Sequence, residues 1–136
     1  MRFLIIVKAN PEYEAGALPD EALIARMTRF HEELARAGAL LDGAGLWPSA
    51  EGWRVRYGEQ GCELVRGPFA QAEQLVAGYT LIQARSVEDA LAWSQRFPNP
   101  RGEGLVAEIE VRPLRGLDDF PPSAAIARLR ELGAST

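Results

Sequence analysis

The sequence has one cysteine, Cys62, and one histidine, His31. A single cysteine excludes an internal disulfide, and with it the disulfide frameworks of small secreted domains. A cytoplasmic setting is the natural expectation. Cys62 and His31 lie far apart in the chain, and no close acidic cluster accompanies either, so no metal is expected. No cofactor is expected either. Gly102-Glu103-Gly104 is too short for a phosphate-cradling loop and follows a helix stop rather than a strand. A Gly-x-Ser-x-Gly elbow is missing. No apolar run reaches the length of a membrane helix, so no membrane partner is expected. Met1 to Ala9 is too short and too lightly flanked for a signal peptide. No run of Lys and Arg occurs, and the net charge is -4. Nucleic acid favours a basic face, so it is not an expected partner.

What is present is an ordinary globular balance. Of 136 residues, 47% are apolar and 25% charged, enough for one domain to bury a core without disulfides or metal.

Phe3-Leu4-Ile5-Ile6-Val7 is a continuous apolar run, and Arg2 to Lys8 is predicted as a strand. Neither of its faces is polar, so helices must cover one and something else the other. A second subunit is a plausible cover. Asn10 to Leu18 carries Pro11 and Gly16 and is predicted as an exposed loop. Asp20 then caps a helix running to about Ala37. Its apolar stripe is Leu23, Met27, Phe30 and Leu34, and Gly38 ends it. On its wet side Arg29 can pair with Glu33, and Glu32 with Arg36.

Leu40 to Trp47, interrupted by Gly43 and Gly45, is predicted as a short bent strand. Trp53 to Tyr57 and Cys62 to Val65 read as a hairpin about Gly58-Glu59-Gln60-Gly61. After a polar loop over Ala70 to Gln74 comes a strand from Gly78 to Arg85, with Tyr79, Leu81 and Gln83 on one face. Ser86 caps a second helix whose expected inner face is Val87, Ala90, Leu91 and Ser94. Pro98 and Pro100 prevent its continuation. Leu105, Ala107, Ile109 and Val111 alternate with polar residues and predict a half-buried strand. Residues 1–114 make the domain. Gly116 to Pro122 reads as a linker, and Ser123 caps a final helix over Ala124 to Leu132. Ile126, Leu129 and Leu132 are expected inward, against the domain or a dimer partner.

Strand, helix, strand, hairpin, strand, helix, strand is the order of an α+β, ferredoxin-like fold with a hairpin inserted between its halves. The helices lie on one face of the antiparallel sheet, and two sheets packed together would bury the other face.

The stretches FLIIVKA, LARAGALLDGAGLWPS, RGPFAQAEQL and EIEVRPL together resemble the YCII-related family, in the branch marked by an Asp-Gly-Pro-Phe motif. The resemblance covers nearly the whole chain up to Leu114. It implies a dimeric α+β barrel, and therefore a homodimer. It supplies no reaction. The chain also departs from the motif. Arg66 stands where the family has aspartate, Gln71 where it has glutamate, and Glu73 where it often has lysine. A catalytic role for the motif carboxylate therefore cannot pass to Arg66. The aspartate reads better as a turn cap before Gly-Pro, because Gly67-Pro68-Phe69 is intact and needs a shaped turn.

Two residues are candidates for acid–base chemistry. His31 sits at the edge of the apolar stripe, where an imidazole can reach a cleft while staying partly dry. Family branches resemble this by carrying a histidine early in the helix, but that position falls at Met27 here. The plain alternative is a boundary histidine bonded to backbone. Asp42 could orient His31 as a dyad partner, or be a turn aspartate beside Gly43. Lys8 and Arg66 could together hold an anionic ligand, or be two solvated strand ends. Phe69 and Tyr79, with Trp47, Trp53 and Trp93, offer aromatic pocket walls, though core and interface packing also uses aromatics. Glu108 and Glu110 could form an acid pair or an exposed polar face. Two functions follow. One is a small-molecule-binding homodimer with a pocket between sheet and helices, its ligand unnamed and acid–base enzyme activity through His31 an open question. The other is a non-catalytic regulatory or partner-binding module, of the kind the family associates with transcription sigma factors.

Overall fold

The computed structural model describes residues 1–133. Four strands form one antiparallel sheet: β1 (Arg2–Lys8), β2 (Leu40–Gly45), β5 (Val76–Gln83) and β6 (Ile109–Pro113), in the spatial order β2-β5-β1-β6. With the hairpin β3 (Trp53–Gly58) and β4 (Gly61–Arg66) set aside, that is the ferredoxin-like order. The helices are α1 (Pro11–Glu14), α2 (Glu21–Arg36), α3 (Val87–Gln95) and α4 (Ala124–Glu131).

Alternation along β1 and β5 divides the sheet into two faces. Phe3 and Ile5 pair with Ile82 and Thr80 and are buried under the helices. Leu4 and Ile6 pair with Leu81 and Tyr79 on the other face, where all four are half-buried. The core joins Phe3, Ile5, Ile82 and Ala84 of the sheet side to Phe30 and Leu34 of α2 and Ala90 of α3. Ile5, Leu34 and Ile82 are fully enclosed.

The long helix forms where its caps and stripe place it. The Asp20 carboxylate accepts from the Leu23 N–H at 2.8 Å, and Gly38 takes a left-handed φ of 70° past the end. On its outer side Arg36 lies 4.0 Å from Glu32. Glu33 pairs with Arg96 rather than with Arg29.

Four expectations are corrected. The loop after β1 contains a short helix, because the Asn10 side chain caps the Tyr13 N–H at 2.8 Å and Pro11 stands at its first position. The inner face of α3 is Ala90 and Trp93, continued by Phe97. Val87 and Leu91 are exposed, since the helix rolls to bring Trp93 and Phe97 edge-on to Phe30. The last strand begins at Ile109, not Leu105. Gly102 and Gly104 take left-handed φ values of 131° and 80°, and Asn99 Nδ2 donates to the Leu105 carbonyl at 2.7 Å, so this stretch closes on itself. Its alternation becomes a strand only where β1 supplies a partner, from Val7↔Ile109 onward. In the last segment Leu117 is buried, whereas Leu129 and Leu132 of the final helix and its cap are exposed.

The hairpin stands apart from the sheet. Trp53, Val55 and Tyr57 share one of its faces with Cys62, Leu64 and Arg66; all six are exposed. Arg54, Arg56, Glu63 and Val65 make the other face. No described helix is long and apolar enough to cross a membrane.

Candidate functional site

His31 is held at both ring nitrogens. Nδ1 lies 2.7 Å from the Met27 carbonyl oxygen, and Nε2 lies 2.8 Å from the Thr80 hydroxyl. A carbonyl can only accept, so Nδ1 carries the proton and Nε2 accepts from Thr80. Thr80 is buried on the helix-covered face of β5, and the His31 ring packs edge-on against Phe30 and Phe97. This is a boundary histidine tied to backbone and to one buried hydroxyl. Thr80→Val should therefore strand the imidazole nitrogen and destabilise the fold by about 1–2 kcal/mol. Urea denaturation would measure it. A shift no larger than that of an ordinary surface change, about 0.5 kcal/mol, would show that the contact contributes little.

Asp42 lies elsewhere. It pairs in register with Leu81, and its carboxylate accepts from the Tyr79 hydroxyl at 3.0 Å. Tyr79 and Thr80 are successive residues of one strand, so they point to opposite faces. The sheet thus separates Asp42 from His31, and the two do not form a dyad. Hydrogen bonding to Asp42, then its negative charge, pushes the Tyr79 phenol up from its ordinary pKa.

The uncovered face of the sheet also carries a charged group on β1 and β6. The Lys8 ammonium lies 3.3 Å from Glu110, and Arg112 donates to the same carboxylate at 3.1 Å. The hydrogen bonds from Arg112 and then Lys8 hold the Glu110 carboxyl below its usual range. Glu110 is therefore engaged by two cations, while Glu108 precedes the strand, and the two do not make an acid pair. Between the Asp42–Tyr79 pair on β2–β5 and the Lys8–Glu110–Arg112 group on β1–β6 lie the apolar side chains of Leu4, Ile6 and Leu81.

Arg66 and Phe69 do not join this group through any contact among the described residues. Arg66 is exposed opposite Trp53 in the hairpin. The Phe69 ring lies under the Arg54 guanidinium, 3.8 Å from its centroid. The Phe69 N–H donates to Ser49 Oγ at 2.9 Å, and the Ser49 N–H and hydroxyl both donate to the Glu14 carboxylate. The motif turn is thus held by a serine and a glutamate from two distant segments, which sequence reasoning did not single out. Among the described residues no three His, Cys, Asp or Glu side chains are grouped to hold a metal ion.

Ferredoxin-like strand order, the hairpin between the halves and the Gly-Pro-Phe turn are the setting of one further observation. The family model of the YCII-related domain matches residues 1–115. The chain belongs to the YCII-related family. No curated protein matches this YCII-related chain. A solved structure of 5-chloro-2-hydroxyhydroquinone dehydrochlorinase from Burkholderia phenoliruptrix, in complex with 2,5-dihydroxybenzoquinone, is similar over 85% of this chain and 95% of that one. The identity is 14% and the TM-score 0.41, too distant to carry a reaction across.

Proposed function

We propose that this YCII-related domain is a small-molecule-binding protein that works as a homodimer, with its ligand on the uncovered sheet face. The observation that carries this reading is the Tyr79–Asp42 hydrogen bond, set on that face beside half-buried Leu4, Ile6 and Leu81. Apolar walls with a few convergent polar groups are the usual make-up of a ligand pocket. In this reading Asp42, oriented by the Tyr79 phenol, takes a proton from a bound hydroxyl, and Lys8, already paired with Glu110, adds a cation at the far end. His31 and its Thr80 bond serve the fold in this reading. A second copy covering the face would enclose the ligand and bury the apolar residues that the helices leave bare.

The test has two parts. Sedimentation equilibrium should give about twice the 14.9 kDa chain mass, and Ile6→Lys should yield monomers; a wild-type monomer at every concentration would remove the dimer. A thermal-shift screen of small phenols and hydroxy acids should find compounds that stabilise the wild type. Asp42→Asn should abolish that stabilisation, and His31→Gln should keep it. Hits that tolerate Asp42→Asn would move the ligand away from this face.

One observation favours a second reading, a partner-binding module. Leu129 is 42% and Leu132 81% exposed, on and just after a helix beyond the family match. If both leucines stay reactive to chemical footprinting in the homodimer, the tail helix is a docking element for another protein; protection of both would assign it to the dimer.

A further inference from the structure

Between α2 and the end of α3, on the helix-covered side of the sheet, a groove of about 290 Å³ is lined by Arg26, Arg29, Phe30, Glu33, Arg96 and Pro98. Three of the six lining residues are arginines. Arg26, Arg29, Phe30 and Glu33 fall at spacings of three and four along α2, so one helix face presents them together. Arg96 reaches in from the end of α3 and is held in place twice. It pairs with the Glu33 carboxylate, and its guanidinium lies over the Trp93 ring at 4.8 Å from the centroid.

The donors in this groove outnumber the acceptors. Guanidinium groups only donate, and Glu33 is the one carboxylate in the lining. The Arg26 Nε is enclosed and has no hydrogen-bond acceptor among the described residues. The nearest carboxylate, of Glu103, stands 3.9 Å from it, beyond hydrogen-bond reach. Arg29 is exposed and makes no ion pair within 4 Å among the described residues. An enclosed N–H lacking an acceptor and a free planar fork, on two arginines that line one groove, suit a group with several oxygens and negative charge.

We propose that Arg26, Arg29 and Arg96 bind a small oxyanion, a phosphate or a carboxylate, in this groove. Phe30 and Pro98 give it an apolar wall, so the oxyanion can carry a hydrocarbon substituent. The site lies across the sheet from Asp42 and Tyr79 and stands independently of the ligand proposed there.

Isothermal titration of the full chain in low-salt buffer tests it, with pyrophosphate and citrate as probes. At least one should bind, and the tighter of the two assigns the oxyanion as phosphate or carboxylate. Arg29→Gln and Arg26→Gln should each weaken that binding about tenfold or more. Arg56→Gln, an arginine on the hairpin, should leave it unchanged. Arg29 is on the surface, so its variant keeps the test clear if Arg26→Gln does not fold. Absence of binding by both probes, or an equal loss in Arg56→Gln, would overturn the proposal.

Discussion

Phe30→Ala should destabilise the protein by about 3–5 kcal/mol. Phe30 is 4% exposed and stands where α2, α3 and the sheet meet. Its ring meets Trp93 edge-on at 6.0 Å between centroids, and Phe97 at 5.2 Å. Truncation removes the buried ring and its edge-to-face contacts with Trp93, Phe97 and His31, and leaves a hole that two large aromatics cannot close without moving α3. A domain of this kind is stable by only about 5–15 kcal/mol in total, so a large share of that margin would go. Chemical denaturation would measure the loss. Phe30→Leu should recover much of it, because volume is largely kept. A loss below about 1 kcal/mol for the alanine variant would mean that α3 is not packed through this ring.

Gly67→Ala should be comparably damaging, for a different reason. Gly67 does not have a left-handed φ. The restriction is space: a Cβ there would lie 1.8 Å from the Ser49 carbonyl oxygen and 2.6 Å from its carbon. Those are backbone atoms, and they cannot swing away as a side chain would. The Gly67 N–H also donates to the Gly52 carbonyl at 3.0 Å, so the two chain segments are already as close as they can be. Accommodation requires the 49–52 turn to separate from the motif turn, which would break the Ser49 contacts to Phe69 and Glu14 as well. A loss of roughly 3 kcal/mol is expected, at the upper end for overpacking. An unchanged denaturation midpoint would show that the two turns do not touch in solution.

These two residues also mark what can be read in a single sequence. The stripe through Phe30 was legible because Leu23, Phe30 and Leu34 repeat at helical spacing behind a good cap at Asp20. The same reasoning placed β1, the Ser86 cap and the hairpin. Trp93 and Phe97 escaped as core residues because α3 is short, and a small roll exchanges them for Val87 and Leu91. Leu105 to Ala107 carried a strand pattern without a partner strand, and alternation alone cannot say where pairing starts. At Gly67 a shaped turn was foreseen. The residue that crowds it, Ser49, lies in another segment and leaves no local trace. The candidate site shows the same divide. A dyad of His31 and Asp42 could be entertained because His31 lies in α2 and Asp42 in the strand that follows it. Only the parity of Tyr79 and Thr80 along β5 reveals that they stand on opposite sides of the sheet.

The bond between Gly67 and Gly52 has a consequence for how the chain can vary. It closes the base of the hairpin, so everything from Trp53 to Arg66 hangs from a shut neck. For the joining of β2 to β5, the chain behaves as though the hairpin were cut out, and each halving of such a loop is worth roughly 0.6 kcal/mol in closure entropy. A hairpin inserted in this manner can lengthen, shorten or change its side chains while its host sheet assembles as before. The exposed Trp53, Val55, Tyr57 and Leu64 are therefore free to be chosen for whatever they meet, since the sheet makes no demand on them.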